Sequence, residues 1–275
     1  MNSKYVQDMT KGNEMSLLIR FSIPMVIGNI FQQFYNMVDS IIVGKYVGKG
    51  ALAAVGATGS LTFLFFSLCM GMSIGIGILV SQYFGNNDDE YVKKTIANSV
   101  YVMMTIGILM SILGVVFAKS VLQLLNTPPE ILTDAVDYMR IACAGIVAVS
   151  AYNAISSILR ALGDSKMPLV FLIIASFMNI VLDLLFVIQF GLGVKGVAYA
   201  TIISQSVSAI GAIAFAIWKN PYFKISKEER KVDKKLINKS VRLGVPVAAQ
   251  NALIAVSCIA LQAVVNRFGE DVVAA

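Results

Sequence analysis

Histidine is absent from all 275 residues, and only 3 cysteines occur. The first absence removes Ser-His and Cys-His nucleophilic catalysis and any histidine-ligated metal. Cys69, Cys143 and Cys258 lie far apart, without CxxC spacing, and are expected to be buried gap-fillers rather than ligands. Charge is sparse as well: Asp, Glu, Lys and Arg make up 14% of the chain, against about 25% in a typical soluble domain. A cleavable signal is missing too. Residues 1–16 are polar and mixed in charge, and no short apolar core leads to a small-residue cleavage site. The first span is therefore expected to stay as an anchor.

What fills the chain instead is apolar. Hydrophobic residues make up 57% and the mean hydropathy is +0.76. The longest uncharged run covers the 38 residues between Lys49 and Asp88. A helix needs roughly 20 apolar residues to cross the hydrocarbon. Seven spans are predicted, at 17–43, 51–83, 95–117, 132–158, 167–190, 194–218 and 241–267. The fold class is thus an all-α membrane protein, with a six-helix lobe (1–218), a basic linker (219–240) and a seventh helix in 241–275.

Placement of charge gives an orientation. With the N-terminus in the cytoplasm, 16 of the 22 Lys and Arg residues fall on the inner side, nine of them from Lys219 to Arg242. That asymmetry fits the positive-inside rule and makes the cell membrane the expected location. It also explains the net charge of +6 without nucleic acid, because no folded basic face exists apart from these loops.

After the linker the sequence begins again. "IRFSIPMVIGN" (Ile19–Asn29) aligns with "VRLGVPVAAQN" (Val241–Asn251), pairing Arg20 with Arg242, Pro24 with Pro246 and Asn29 with Asn251. "KYVGKGALAA" (Lys45–Ala54) resembles "RFGEDVVAA" (Arg267–Ala275) after one gap. An even number of intervening spans makes the repeats parallel. The chain is expected to be truncated one helix into a second lobe, leaving that helix without partners.

Within the first span, Asn29, Gln32, Gln33, Asn36, Asp39 and Ser40 recur at steps of three and four, the spacing of one helical face. Facing lipid, a central Asp costs about 2.5–3.5 kcal/mol, so the face must meet protein or a water-filled cavity. For the amides alone, helix–helix hydrogen bonding is the favoured reading. Asp183 and Asn179 share a face of the fifth span, and Thr201 and Gln205 a face of the sixth. At 1.5 Å per residue, Asp39, Asp183 and Thr201 all lie roughly 8–12 Å below the outer ends of their helices. Asp39, Asn179, Asp183 and Thr201 are therefore the candidate site for Na⁺ or H⁺, by hard-oxygen coordination or proton exchange. Gln32, Gln33, Asn36 and Gln205 are assigned to the substrate path. Gly71, Gly75 and Gly77 suit close helix packing. The 13 Met and 15 Phe suit an adaptable apolar pocket as well as lipid contact.

The segments Ile23–Gly56, "SQYFGNND" (Ser81–Asp88), "RALGDSKMPL" (Arg160–Leu169), "NIVLD" (Asn179–Asp183) and "GVKGVAYAT" (Gly193–Thr201) together resemble the multidrug and toxic compound extrusion (MATE) transporters. The resemblance covers essentially the whole chain. It implies a two-lobe transporter that exports drug-like cations and amphipathic compounds by alternating access, driven by Na⁺ or H⁺ entry, with no cofactor. It also implies that Asp39, Asn179, Asp183 and Thr201 form the amino-terminal lobe's cation site, and that the missing second lobe is needed for transport. Three other functions are weighed, one of them a purely structural membrane subunit. A lipid-linked oligosaccharide flippase shares the two-lobe plan but carries cationic residues in its cavity, whereas the spans here hold only Arg140, near an outer end. An intramembrane aspartyl protease needs two Asp residues sharing a water, but the GxGD sequence is missing.

Overall fold

The computed structural model describes residues 13–266. Every regular element among them is helical: α1 (Glu14–Ile42), α2 (Lys49–Gly85), α3 (Asp89–Leu124), α4 (Pro129–Ala144), α5 (Ile146–Ala161), α6 (Lys166–Leu184), α7 (Gly193–Lys219) and α8 (Lys234–Val265). A π-helical turn at Val43–Val47 extends α1, and another at Leu185–Gln189 extends α6. With α4 and α5 taken as one span, seven helical segments are long and apolar enough to cross a membrane. The chain is a multi-pass membrane protein.

Local chemistry sets most of the boundaries. Asn13, Asp88 and Asp233 cap α1, α3 and α8, each side chain accepting from backbone N–H groups of the first turn. Such caps satisfy donors that the helix cannot pair internally. The cap at Asp233 starts α8 at Lys234, inside the segment expected to be linker.

The fourth span departs from expectation. Instead of one helix over 132–158, α4 and α5 meet at Gly145 with a bend of 44°. A Cβ at Gly145 would lie 2.4 Å from Ile202 Cγ1, so glycine lets α7 press against the corner.

The main core joins α2, α3, α4 and α5 through residues such as Ala57, Leu61, Ile76, Val80, Leu122 and Met139. A smaller cluster of Ile42, Val43, Ala51, Val187, Val194 and Val197 closes the end of the lobe at which α1 gives way to α2. Tyr152, Leu159, Ala209, Ala212 and Ala216 seal α5 to α7. Outward, α3 exposes Val100, Met104, Ile108, Ile112 and Val116 at four-residue steps, an apolar stripe suited to acyl chains.

The seventh helix is not stranded. It packs along α2, where a Cβ on Gly71 would lie 2.4 Å from Ala248 Cα and one on Gly75 would lie 2.4 Å from Gly244 N. Gly71 and Gly75 thus serve close packing between backbones. The thiols divide: Cys69 and Cys143 are buried, whereas Cys258 on α8 is exposed. Cys143 occupies the space left by Gly114. The partner segment of the second repeat match, Arg267–Ala275, lies outside the described residues.

Candidate functional site

A cavity of about 510 Å³ runs through the lobe between α1, α2, α4, α5, α6 and α7. Hydrogen bonds between elements fix its walls. Tyr152 Oη donates to the Pro168 carbonyl at 2.8 Å, tying α5 to α6, and Ser208 Oγ donates to the Phe171 carbonyl at 2.9 Å, tying α7 to α6.

Asp39, near the C-terminal end of α1, lies on this wall, with Thr201 also on the wall. Behind them Asp183 is fully buried at 0% exposure, with Asn179 at 2%. The carboxyls of Asp39 and Asp183 lie within hydrogen-bonding reach of each other. Asn179 Nδ2 donates to Thr201 Oγ1 at 3.5 Å, and Thr201 Oγ1 donates to the Val197 carbonyl at 3.0 Å. Four buried oxygens are left without a donor: Asp39 Oδ1, Asn179 Oδ1 and both Asp183 oxygens. Orphaned acceptors in such a place need an explanation. Two facing carboxylates repel, and a shared proton or a small cation relieves the repulsion. Among the described residues no group of three or more His, Cys, Asp or Glu side chains converges, so the donors here are two carboxyls and neutral oxygens.

Each acid sits just inward of a π-helical turn. At the first, the Val43 N–H points to both the Asp39 and Ser40 carbonyls. The second begins two residues after Asp183. Turns of this kind are frequent at functional sites, and no residue type in either segment signals them.

Of the residues assigned to the substrate path, Gln32, Asn36 and Gln205 line the cavity. Gln33 does not: one residue beyond Gln32 turns the side chain by about 100°. Its Oε1 accepts from Asn36 Nδ2 at 3.4 Å. Residues that sequence reasoning passed over also line the wall, among them Tyr35, Tyr138, Asn153 and Arg160. Tyr35 lies against Gln32 and Gln205. Its position four residues before Asp39 was the available signal. Arg160 corrects a sequence argument: it belongs to the last turn of α5 and reaches the cavity, so Arg140 is not the only arginine to consider within the spans.

Seven spans around an internal cavity that carries amides, phenols and a carboxylate have the form of a membrane transporter lobe. The chain belongs to the MatE family, whose model matches residues 24–185; this is a family of transporters, not enzymes. It is 32% identical over 267 residues to the probable multidrug resistance protein YpnP of Bacillus subtilis, covering 97% of this chain and 59% of that protein. To the probable multidrug resistance protein NorM of Thermotoga maritima it is 26% identical over 238 residues, covering 85% of this chain and 51% of that one. Among solved structures, the outward-facing form of a multidrug resistance MATE transporter superposes with a TM-score of 0.85 at 26% identity, over 91% of this chain and 55% of that one. A transporter from Pyrococcus furiosus, described as having a binding pocket of reverse polarity, gives the same score, identity and coverage. The chain therefore spans between half and three fifths of the relatives that it matches.

Proposed function

We propose that the chain supplies the ion-binding lobe of a multidrug antiporter in the cell membrane, its N-terminus in the cytoplasm. The whole transporter exports cationic and amphipathic compounds in exchange for Na⁺ or H⁺. The observation that carries this reading is the meeting of Asp39 and Asp183, from α1 and α6, beside Asn179 and Thr201, with four buried oxygens lacking donors.

All four orphaned atoms are oxygens, which suits a hard cation, and the two carboxyls suit a proton equally well. Asp39 faces both ways. It can close on Asp183 around a cation, or remain open as the acidic end of the cavity, where a drug's ammonium group is attracted. Cation entry and drug release then compete for one side chain, and each ligand favours the lobe arrangement that it binds better. A volume of about 510 Å³ suits a drug-sized molecule. Alternation of access requires the second lobe, against which α1 and α8 have exposed apolar faces to offer.

The test is Asp39→Asn and Asp183→Asn in the full-length protein, reconstituted and assayed for ethidium efflux under imposed Na⁺ and proton gradients. Loss of a charged ligand is worth about 1.5–3 kcal/mol, so efflux at limiting cation is expected to fall by about tenfold or more. Full efflux with unchanged ion dependence in both variants would refute the proposal.

A further inference from the structure

Arg160 closes α5, and its side chain lines the inner end of the central cavity together with Ser156, Asn153 and Ser165. It also lines a second cavity of about 570 Å³ bounded by α1, α2 and α5. Arg160 and Met25 are the two residues common to both walls, so the guanidinium stands where one space passes into the other.

A guanidinium carries five N–H donors. Near a helix end these can be used by the last carbonyls or by a carboxylate. Among the described residues neither happens here: Arg160 joins no ion pair, and the group set against its charge is the neutral Tyr152 phenol two turns earlier on α5. The nearest acid in sequence, Asp164, is engaged elsewhere. It follows the tight turn at Gly163, where φ is 88°, and its Oδ1 accepts from the Lys166 and Met167 amides. One turn before Arg160, the buried Ser156 Oγ lies beside the same Tyr152 phenol.

Charge along the cavity is divided. Among the described residues, Arg160 and Asp39 are its only charged lining groups. Met25, at the level of Arg160, and Asp39 are 14 residues apart on α1, about 21 Å along the helix. The acid is thus too distant to neutralise the arginine. The α1 amides Asn29, Gln32 and Asn36 lie between them, and the rest of the wall includes the apolar Phe63, Phe66, Met70, Leu169 and Leu172.

We propose that Arg160, with Ser156 beside it, anchors the acidic group of an amphipathic ligand, a phosphate or carboxylate whose apolar body lies along the phenylalanines and Met70. The fork of the guanidinium matches either oxyanion with two parallel hydrogen bonds. The pocket then selects ligands by both ends: an acid at the inner mouth and, where the ligand has one, an amine toward Asp39. This deepens the reading of the cavity as the substrate chamber and rests on it. The acid can come from a membrane phospholipid or from a soluble compound.

The test uses the full-length protein in phosphatidylcholine nanodiscs, with pyrenebutyrate and ethidium as anionic and cationic fluorescent probes. Arg160→Gln is expected to weaken pyrenebutyrate by about tenfold or more while leaving ethidium equally or more tightly bound. Arg160→Lys, which keeps the charge but loses the fork, is expected to fall between. Opposite responses of the two probes separate an anion anchor from a folding defect. In a second arm, phosphatidylglycerol in the nanodiscs displaces pyrenebutyrate from the wild type if the ligand is a lipid, and leaves it bound if the ligand is a soluble acid. Unchanged pyrenebutyrate affinity in Arg160→Gln, equal loss of both probes in both variants, or a wild type that binds no pyrenebutyrate overturns the inference. A wild type that binds pyrenebutyrate but not ethidium counts against the export of drug cations and leaves the anchor standing.

Discussion

Tyr222 and Glu229 pin the segment between α7 and α8 to the start of α3. Tyr222 Oη donates to Asp89 Oδ1 at 2.6 Å; burial first, and then the Asp89 carboxylate, pushes the phenol's pKa up. Glu229 accepts from the Ser226 amide at 2.6 Å and pairs with Lys93 at 3.8 Å, and the amide hydrogen bond leads in holding its pKa below the usual carboxylate range. Asn98 Oδ1 accepts from the Asp233 amide at 2.8 Å. The signs of the two shifts differ. A raised phenol contributes fully below its unfolded pKa of about 10 and loses that contribution as pH rises through its folded value. A lowered carboxyl contributes above its unfolded pKa of about 4.3 and loses it as pH falls through its folded value. The attachment is therefore expected to be firmest between about pH 5 and pH 9. Hydrogen exchange of the amides from Tyr222 to Leu236, corrected for intrinsic rates, should show a plateau there and loss of protection toward acid. Tyr222→Phe should speed exchange by about threefold to tenfold, the worth of one hydrogen bond. Unaltered exchange in that variant is inconsistent with the attachment. At this scale the sequence was unevenly legible. Asp39, Asp183 and Thr201 could be placed at one depth, because helical rise is constant, and with Asn179, one turn from Asp183, they are neighbours in the structure. Arg160 and the Tyr222 contact could not be read, because each depends on residues more than a hundred positions away in the chain or on the exact end of a helix.

Helices differ in how closely they can approach, and α2 with α8 gives the sharpest case. Gly75 meets Gly244 N at 2.4 Å and the Ser240 carbonyl at 2.9 Å, measured to an added Cβ, and both contacts are backbone. No side-chain rotation can make room, so the helices must part. Gly75→Val in the full-length protein is expected to destabilise it by about 1–3 kcal/mol or more, read as a lower thermal midpoint and faster proteolysis after the lysines of the 224–235 segment. Gly59→Ala on the same helix is the matched control. Nothing lies within 4 Å of a Cβ there, and the gain in helix propensity is up to about 1 kcal/mol; that variant should be neutral or slightly stabilised. Equal behaviour of the two variants contradicts the packing argument. The existence and order of the spans were readable, because long uncharged runs have few alternatives to membrane helices. The bend at Gly145 was not, since a lone glycine is compatible with an unbroken helix. Nor was the early start of α8, because the basic residues around Lys234 and Lys235 mask the cap at Asp233 and the apolar Leu236 and Ile237 that follow.

For the molecule as a whole, seven crossings sort the connections into two sets. The turns at 86–88, 162–165 and 220–233 fall on the side where α1 begins, while those at 43–48, 125–128 and 190–192 fall on the other. The first set and the helix ends beside it hold Lys93, Lys94, Arg160, Lys166 and the nine basic residues from Lys219 to Arg242. The second is flanked by Lys45, Lys49, Lys119 and Lys195. Basic residues resist translocation, so the first set is expected in the cytoplasm, with Asp39 and Asp183 toward the outer face. This arrangement would also give the proposed cation site and Arg160 opposite addresses, one reached from outside and the other close to the inner leaflet. It can be checked in the full-length protein with Cys69, Cys143 and Cys258 replaced. A membrane-impermeant maleimide applied to intact cells should modify Gln189→Cys and spare Lys227→Cys, both exposed positions, and permeabilisation should expose the second. The reverse pattern inverts the bundle, and with it the direction in which cation entry could drive export.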